Sequence, residues 1–241
     1  MTAPTFSNLG ASAAPDFTAY NDATSYANAS WTPPTSELIF VYVLNVVGSG
    51  TPNQPTMSGN SLTWTAIKSV TSSLYRLTLF GANASGSAAG ATTVDMAGQT
   101  QISMAAAFGK ATDADLSGTV AAAFVQSPTN FGTATSGSIT LAAVGHADNR
   151  PISGWALVAN LSMTARTSWT ELDEVLEVQQ NIRTETQYRS DDFETTASVT
   201  WGGSSQLYFG IAAEIKGAVA AATKPGVIYV SNQAVQRASR W

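Results

Sequence analysis

Four groups of side chains in this sequence are of types that do chemistry, and each also has an ordinary structural reading. His146 is the only histidine, so a Ser-His-Asp triad would need it. No Gly-x-Ser-x-Gly elbow accompanies it, and it lies in the turn-like run Gly145-His146-Ala147-Asp148-Asn149-Arg150, where a surface histidine is expected. With 0 Cys and no second His, a zinc site lacks its usual ligands. Asp113-Ala114-Asp115-Leu116-Ser117-Gly118 resembles the start of a calcium loop, but the closing bidentate acid is missing and a polar turn accounts for it. Glu171, Asp173, Glu174 and Glu177 form the densest acidic group, and paired carboxyls are the machinery of glycoside hydrolysis. Strand alternation would put Glu171, Asp173 and Glu177 on one face, as a solvated or partner-facing patch. Trp31, Trp64, Trp155, Trp169 and Trp201 could stack on sugar rings, but four of the five fall within or at the start of predicted strands, which assigns them to the core. The residues therefore predict no catalytic group, no metal and no cofactor, and a protein that is not an enzyme.

The elements that hold these groups are strands. Thr195 to Lys216 organises the chain: Ala197, Val199 and Trp201 alternate with Thr196, Ser198 and Thr200, the period of a half-buried strand. Gly202-Gly203 supplies a turn, and Leu207 to Ile215 is nearly all apolar, as in a strand covered on both faces. The reading is a hairpin at the centre of a β-sandwich. Leu38 to Leu44 is a second such central strand, and further strands are expected at Leu62–Lys68, Leu74–Phe80, Ala91–Met96, Gln101–Phe108, Thr119–Val125, Ser138–Val144 and Ile152–Asn160.

Part of this pattern occurs twice. Trp64-Thr65 matches Trp169-Thr170, and Val94, Gly98 and Gln101 match Val199, Gly203 and Gln206 at the same spacing. Tyr75-Arg76 matches Tyr188-Arg189 at a displaced one. The expectation is an all-β fold of jelly-roll sandwich type, built from a duplicated five-strand unit as two similar halves packed face to face. Residues 1–36 read as an N-terminal arm or edge segment, 37–216 as the sandwich and 217–241 as a C-terminal arm.

Composition narrows the partners. Charged residues are 11% of the chain, well below the usual quarter, which suits a packed assembly better than a freely soluble enzyme. With Lys+Arg 11 against Asp+Glu 16 and a net charge of -5, nonspecific phosphate binding is disfavoured, so no nucleic acid is expected. The N-terminal run has no basic-then-apolar signal, and no stretch nears the ~18 apolar residues of a membrane span, so the expectation is a protein made in the cytoplasm with no membrane partner. The final segment holds Lys224, Arg237 and Arg240 and no acid. Tyr229, Arg237, Arg240 and Trp241 are accordingly the expected partner-binding residues, of types enriched where interfaces derive their energy.

Ser168-Trp169-Thr170-Glu171-Leu172, Thr186-Gln187-Tyr188-Arg189, Thr195 to Trp201 and Gly210 to Lys216, with Leu62-Thr63-Trp64-Thr65 and Ala147-Asp148-Asn149-Arg150, carry a resemblance. They are similar to small β-rich structural proteins of tailed bacteriophage virions, over roughly residues 37–216. The resemblance implies a virion component, a capsid decoration or head-fibre protein, that binds other copies of itself and the major capsid or tail protein. It leaves open a minor tail protein, and the Trp and Tyr content with the long polar loops gives a receptor- or carbohydrate-binding protein as the alternative. It carries over no catalytic residue.

Overall fold

Long alternating or wholly apolar runs with few helix-forming stretches give a fold in which 56% of the described residues are strand and 2% helix. The computed structural model describes residues 2–9, 16–191 and 194–218. Its strands are β1 (Thr5–Asn8), β2 (Phe17–Ala19), β3 (Ser25–Ala27), β4 (Leu38–Val46), β5 (Thr56–Gly59), β6 (Thr65–Ser72), β7 (Tyr75–Asn83), β8 (Thr92–Asp95) and β9 (Ser103–Thr112). They continue as β10 (Phe124–Gln126), β11 (Thr129–Ala134), β12 (Ser136–Thr140), β13 (Arg150–Leu157), β14 (Met163–Ala165), β15 (Thr170–Glu177), β16 (Ile182–Tyr188), β17 (Thr196–Trp201) and β18 (Gln206–Ile215).

The first nine strands and the last nine repeat one plan. In the first repeat a large sheet runs β1-β9-β4-β7-β6, with β2 also on β9, and a small sheet runs β3-β8-β5. In the second the large sheet runs β10-β18-β13-β16-β15, with β11 also on β18, and the small sheet runs β12-β17-β14. All pairings are antiparallel. The duplicated unit is therefore nine strands and not five; residues 1–36, expected as an arm or edge segment, contribute β1, β2 and β3 to it, with β1 at the edge of the large sheet.

Each repeat is a sandwich, and the two sandwiches stack through their large sheets into four layers. In β4 every residue is buried because both faces are covered. Leu38, Phe40, Tyr42 and Leu44 meet Ile152, Ala156, Phe209 and Ile211 of the other large sheet. Ile39, Val41 and Val43 pack instead with Tyr26, Val94 and Met96 beneath their own small sheet. A third core joins Trp155, Leu157 and Tyr208 to Ile139, Val199 and Trp201 in the second sandwich. β9 lies over β15 and β16, as β18 lies over β6 and β7, so the repeats face each other with approximate two-fold symmetry.

The bulges fix the alignment of the repeats. β6 departs from its register on β7 between Ala66 and Lys68, and β15 departs from its register on β16 between Glu171 and Asp173. Each bulge turns the extra residue, Ile67 or Leu172, toward the shared core. The turns before β9 and β18 also correspond, with Gly98 at φ 74 and Gly203 at φ 92, a conformation in which a side chain is strained.

Four local expectations change. Thr195–Lys216 is not a hairpin: β17 belongs to a small sheet and β18 to a large one, since their apolar faces meet across the sandwich core. Thr119–Val125 is a 3-10 turn, Val120–Ala123, capped by the Thr119 side chain and followed by the short β10. Tyr75 opens β7 whereas Tyr188 closes β16, so that pair is a coincidence of sequence. The bulge at Leu172 also breaks the alternation of β15, so Glu171 and Asp173 no longer share a face.

Candidate functional site

The second sandwich has a polar wall that the first lacks. Counting from the two bulges, Glu171, Glu174, Glu185, Gln187 and Ser153 stand where the first repeat has Ala66, Ser69, Thr78, Phe80 and Val41. The nine-strand plan is thus satisfied by apolar and hydroxyl residues at these positions, and the acids are additions specific to the second repeat. Arg183 stands where the first repeat has Arg76.

Glu185 lies at the centre, on β16 between Trp155 of β13 and Glu174 of β15. It is wholly buried. One carboxyl oxygen accepts from Gln187 Nε2, and Oε2 has no hydrogen-bond partner. Ser153 Oγ reaches Gln187 Oε1 at 3.5 Å, and Trp155 Nε1 donates to Ser153 Oγ at 3.1 Å. Burial pushes the Glu185 carboxyl up to about 8; the Gln187 contact opposes this, while Glu171 and Glu174 add to it. Burial disfavours the charged form, so near neutral pH this group is largely a neutral acid.

The neighbouring charges are partly matched. Arg183 pairs with Glu174 and also donates to Ser162 Oγ at 3.1 Å and Asn160 Oδ1 at 3.2 Å. Glu174 Oε1 accepts from the Met163 amide at 3.1 Å. Glu171 is exposed at the start of the strand, and its carboxyl is raised by partial burial and then by the nearby Glu174 and Asp173.

The remaining acids of the group face the other repeat. Glu177 accepts from the Gln179 and Gln180 amides at 2.8 and 2.7 Å and from Ser103 Oγ of β9 at 3.1 Å. Asp173 meets Asp16, whose carboxyl is pushed up to about 8 by burial and by Asp173, against the Phe108 amide that donates to it at 2.6 Å. Burial and a neighbouring carboxyl both disfavour the charged form of Asp16. Sequence alternation did not reveal either arrangement, because both depend on the bulge and on which sheet lies opposite.

The other candidates are local. His146 is exposed, and its Nδ1 accepts from the Asp148 amide at 3.1 Å. Asp115 accepts from the Ser117 amide and hydroxyl and pairs with Lys216 at 2.7 Å; these contacts hold its carboxyl down to about 2. Trp31, Trp155, Trp169 and Trp201 are buried, and Trp64 packs edge-on against Phe108. Among the described residues no His, Asp and Glu cluster is arranged to hold a metal ion. No helix among them is long and apolar enough to cross a membrane. Tyr229, Arg237, Arg240 and Trp241 lie outside the described residues.

Ala218 pairs with Thr2, its amide donating to Asp113 O at 2.7 Å, so both ends of the described body emerge together. A cleft of about 230 Å³ between Pro4, Phe6, Arg150 and Tyr188 lies on the same N-terminal segment. No family model, curated protein or solved structure matches this chain.

Proposed function

We propose that the chain is a structural assembly protein of the virion type the resemblance implies, a capsid decoration or head-fibre protein that binds other copies of itself and the major capsid or tail protein. The observation that carries the reading is the division of charge at Ala218. The body up to that residue holds every acid of the chain, while residues 219–241 hold Lys224, Arg237 and Arg240 alone. A basic segment with Arg237, Arg240 and Trp241, joined to an acidic body, has the residue types suited to docking on a neighbouring subunit.

Two further features support it. Strand order β2-β9-β4-β7 over β3-β8-β5 follows the wrapping of a jelly roll, with β6 beside β7 instead of in the small sheet, which is why we assign each repeat to that class. The two carboxyls pushed up to about 8, Glu185 and Asp16, are packed inside or between sandwiches, which favours a fold role over catalysis.

The test is deletion of residues 225–241. The shortened chain is expected to keep its melting transition while losing self-association and incorporation into particles. Unchanged incorporation, or a copy number in purified particles of zero, overturns the proposal.

A further inference from the structure

If the basic segment is an arm, the body should carry a receptor for it, and the comparison between the repeats identifies one. β15 ends its sheet: one side bonds to β16, and no described strand pairs with the other. β6 is the same edge in the first repeat, with the same bulge, yet it carries Ala66, Lys68, Ser69 and Ser72 where β15 carries Glu171, Asp173, Glu174 and Glu177. The acids are therefore not needed to make the strand, its bulge or its packing. Three of them are turned to groups inside the body: Glu174 pairs with Arg183, Glu177 accepts from Ser103 and two turn amides, and Asp173 lies against the Asp16 carboxyl.

Glu171 has none of these. It is exposed at the open end of the strand, and just behind it lies the wholly buried Glu185 with Oε2 unpartnered. Glu171 and Glu174 share the single guanidinium of Arg183, which is already paired with Glu174, so the edge is short of positive charge at Glu171. We propose that the β15 edge receives residues 219–241 of a second copy of this chain, with Arg237 and Arg240 meeting Glu171. The proposal rests on the arm reading above and names where the arm binds. Charge selects the partner: two β15 edges repel each other, whereas a basic segment is attracted and finds unpaired main-chain groups beside it.

The experiment uses the full chain and measures self-association by sedimentation velocity across concentration and salt. Three proteins are compared: Glu171→Lys, Arg237→Glu/Arg240→Glu, and the two sets combined. Glu171 is exposed, and a thermal melt checks that each protein is folded. Each set alone is expected to weaken association by about tenfold, and the combined protein to recover it. An equimolar mixture of the two single-set proteins should also recover association, because the lysine edge of one meets the glutamate arm of the other. Recovery in the combined protein without recovery in the mixture means the arm folds back on its own edge, and overturns docking between copies. No effect of Glu171→Lys, with association still lost on deleting 225–241, overturns the β15 receptor while the arm reading stands. A wild-type chain that stays monomeric at every concentration overturns both.

Discussion

The ring of Tyr42 lies over Gly154, and these two residues hold the same position in the two repeats. Counted from the bulges, Tyr42 is opposite Leu79 and Lys68 is opposite Leu79, just as Gly154 and Asp173 are both opposite Thr186. At an approximate two-fold axis a residue meets its own counterpart. Two tyrosines there would collide and two glycines would leave a void, so the duplicated chain places one of each.

A Cβ at Gly154 would run into the Tyr42 ring. Gly154→Ala is expected to cost about 2–3 kcal/mol, as overpacking of a filled core does. Tyr42→Phe is expected to cost nothing or to stabilise, because the buried Tyr42 hydroxyl has no partner and its removal ends a desolvation cost. Urea unfolding of both variants checks the pair; a strongly destabilised Tyr42→Phe would mean the hydroxyl is satisfied.

Raised carboxyl pKa values make stability fall with alkalinity. Glu185 and Asp16 bind a proton in the folded state up to about pH 8, whereas the unfolded chain releases it near pH 4. Between these values the folded state holds more protons, so its advantage is full below about pH 4 and is lost as pH rises through 8. Glu185→Gln should flatten this dependence and melt higher than wild type at pH 9. Parallel melting curves for the two proteins from pH 5 to pH 9 would contradict the assignment.

The opposite sign applies at Asp115. Its lowered carboxyl favours folding above its ordinary pKa, and the contribution disappears as pH falls toward 2. Because Lys216 is 42% exposed, screening limits the pair, and Asp115→Asn should cost about 1 kcal/mol at pH 7. The gap between variant and wild type should close in acid; a gap constant down to pH 2 would point to packing instead of charge.

Ser103 and Glu177 tie the repeats together through one hydrogen bond. A double-mutant cycle with Ser103→Ala and Glu177→Gln is expected to give a coupling of about 1–2 kcal/mol, in the range for a bond to a charged group. Additive single effects would show that the contact contributes nothing between the sandwiches.

Sequence alone determined the class of structure and several of its parts. Period-two alternation at Ala197, Val199 and Trp201 and the unbroken apolar run at Leu38 each report how many faces of a strand are covered, which is a property of the residues themselves. Constant spacing between Trp64 and Trp169, or Gly98 and Gly203, was legible for the same reason: the loop between β8 and β9 needs a positive-φ glycine in both repeats. What tertiary structure alone decided was pairing. β17 and β18 read as partners because a Gly-Gly turn joins them, but whether two neighbours bond edge to edge or face each other across a core depends on strands far away in the chain. The polar wall was hidden for a related reason: one bulged residue at Leu172 reverses the face of what precedes it, and only the lie of β9 and β16 puts Asp173 against Asp16 and Glu171 beside Glu185.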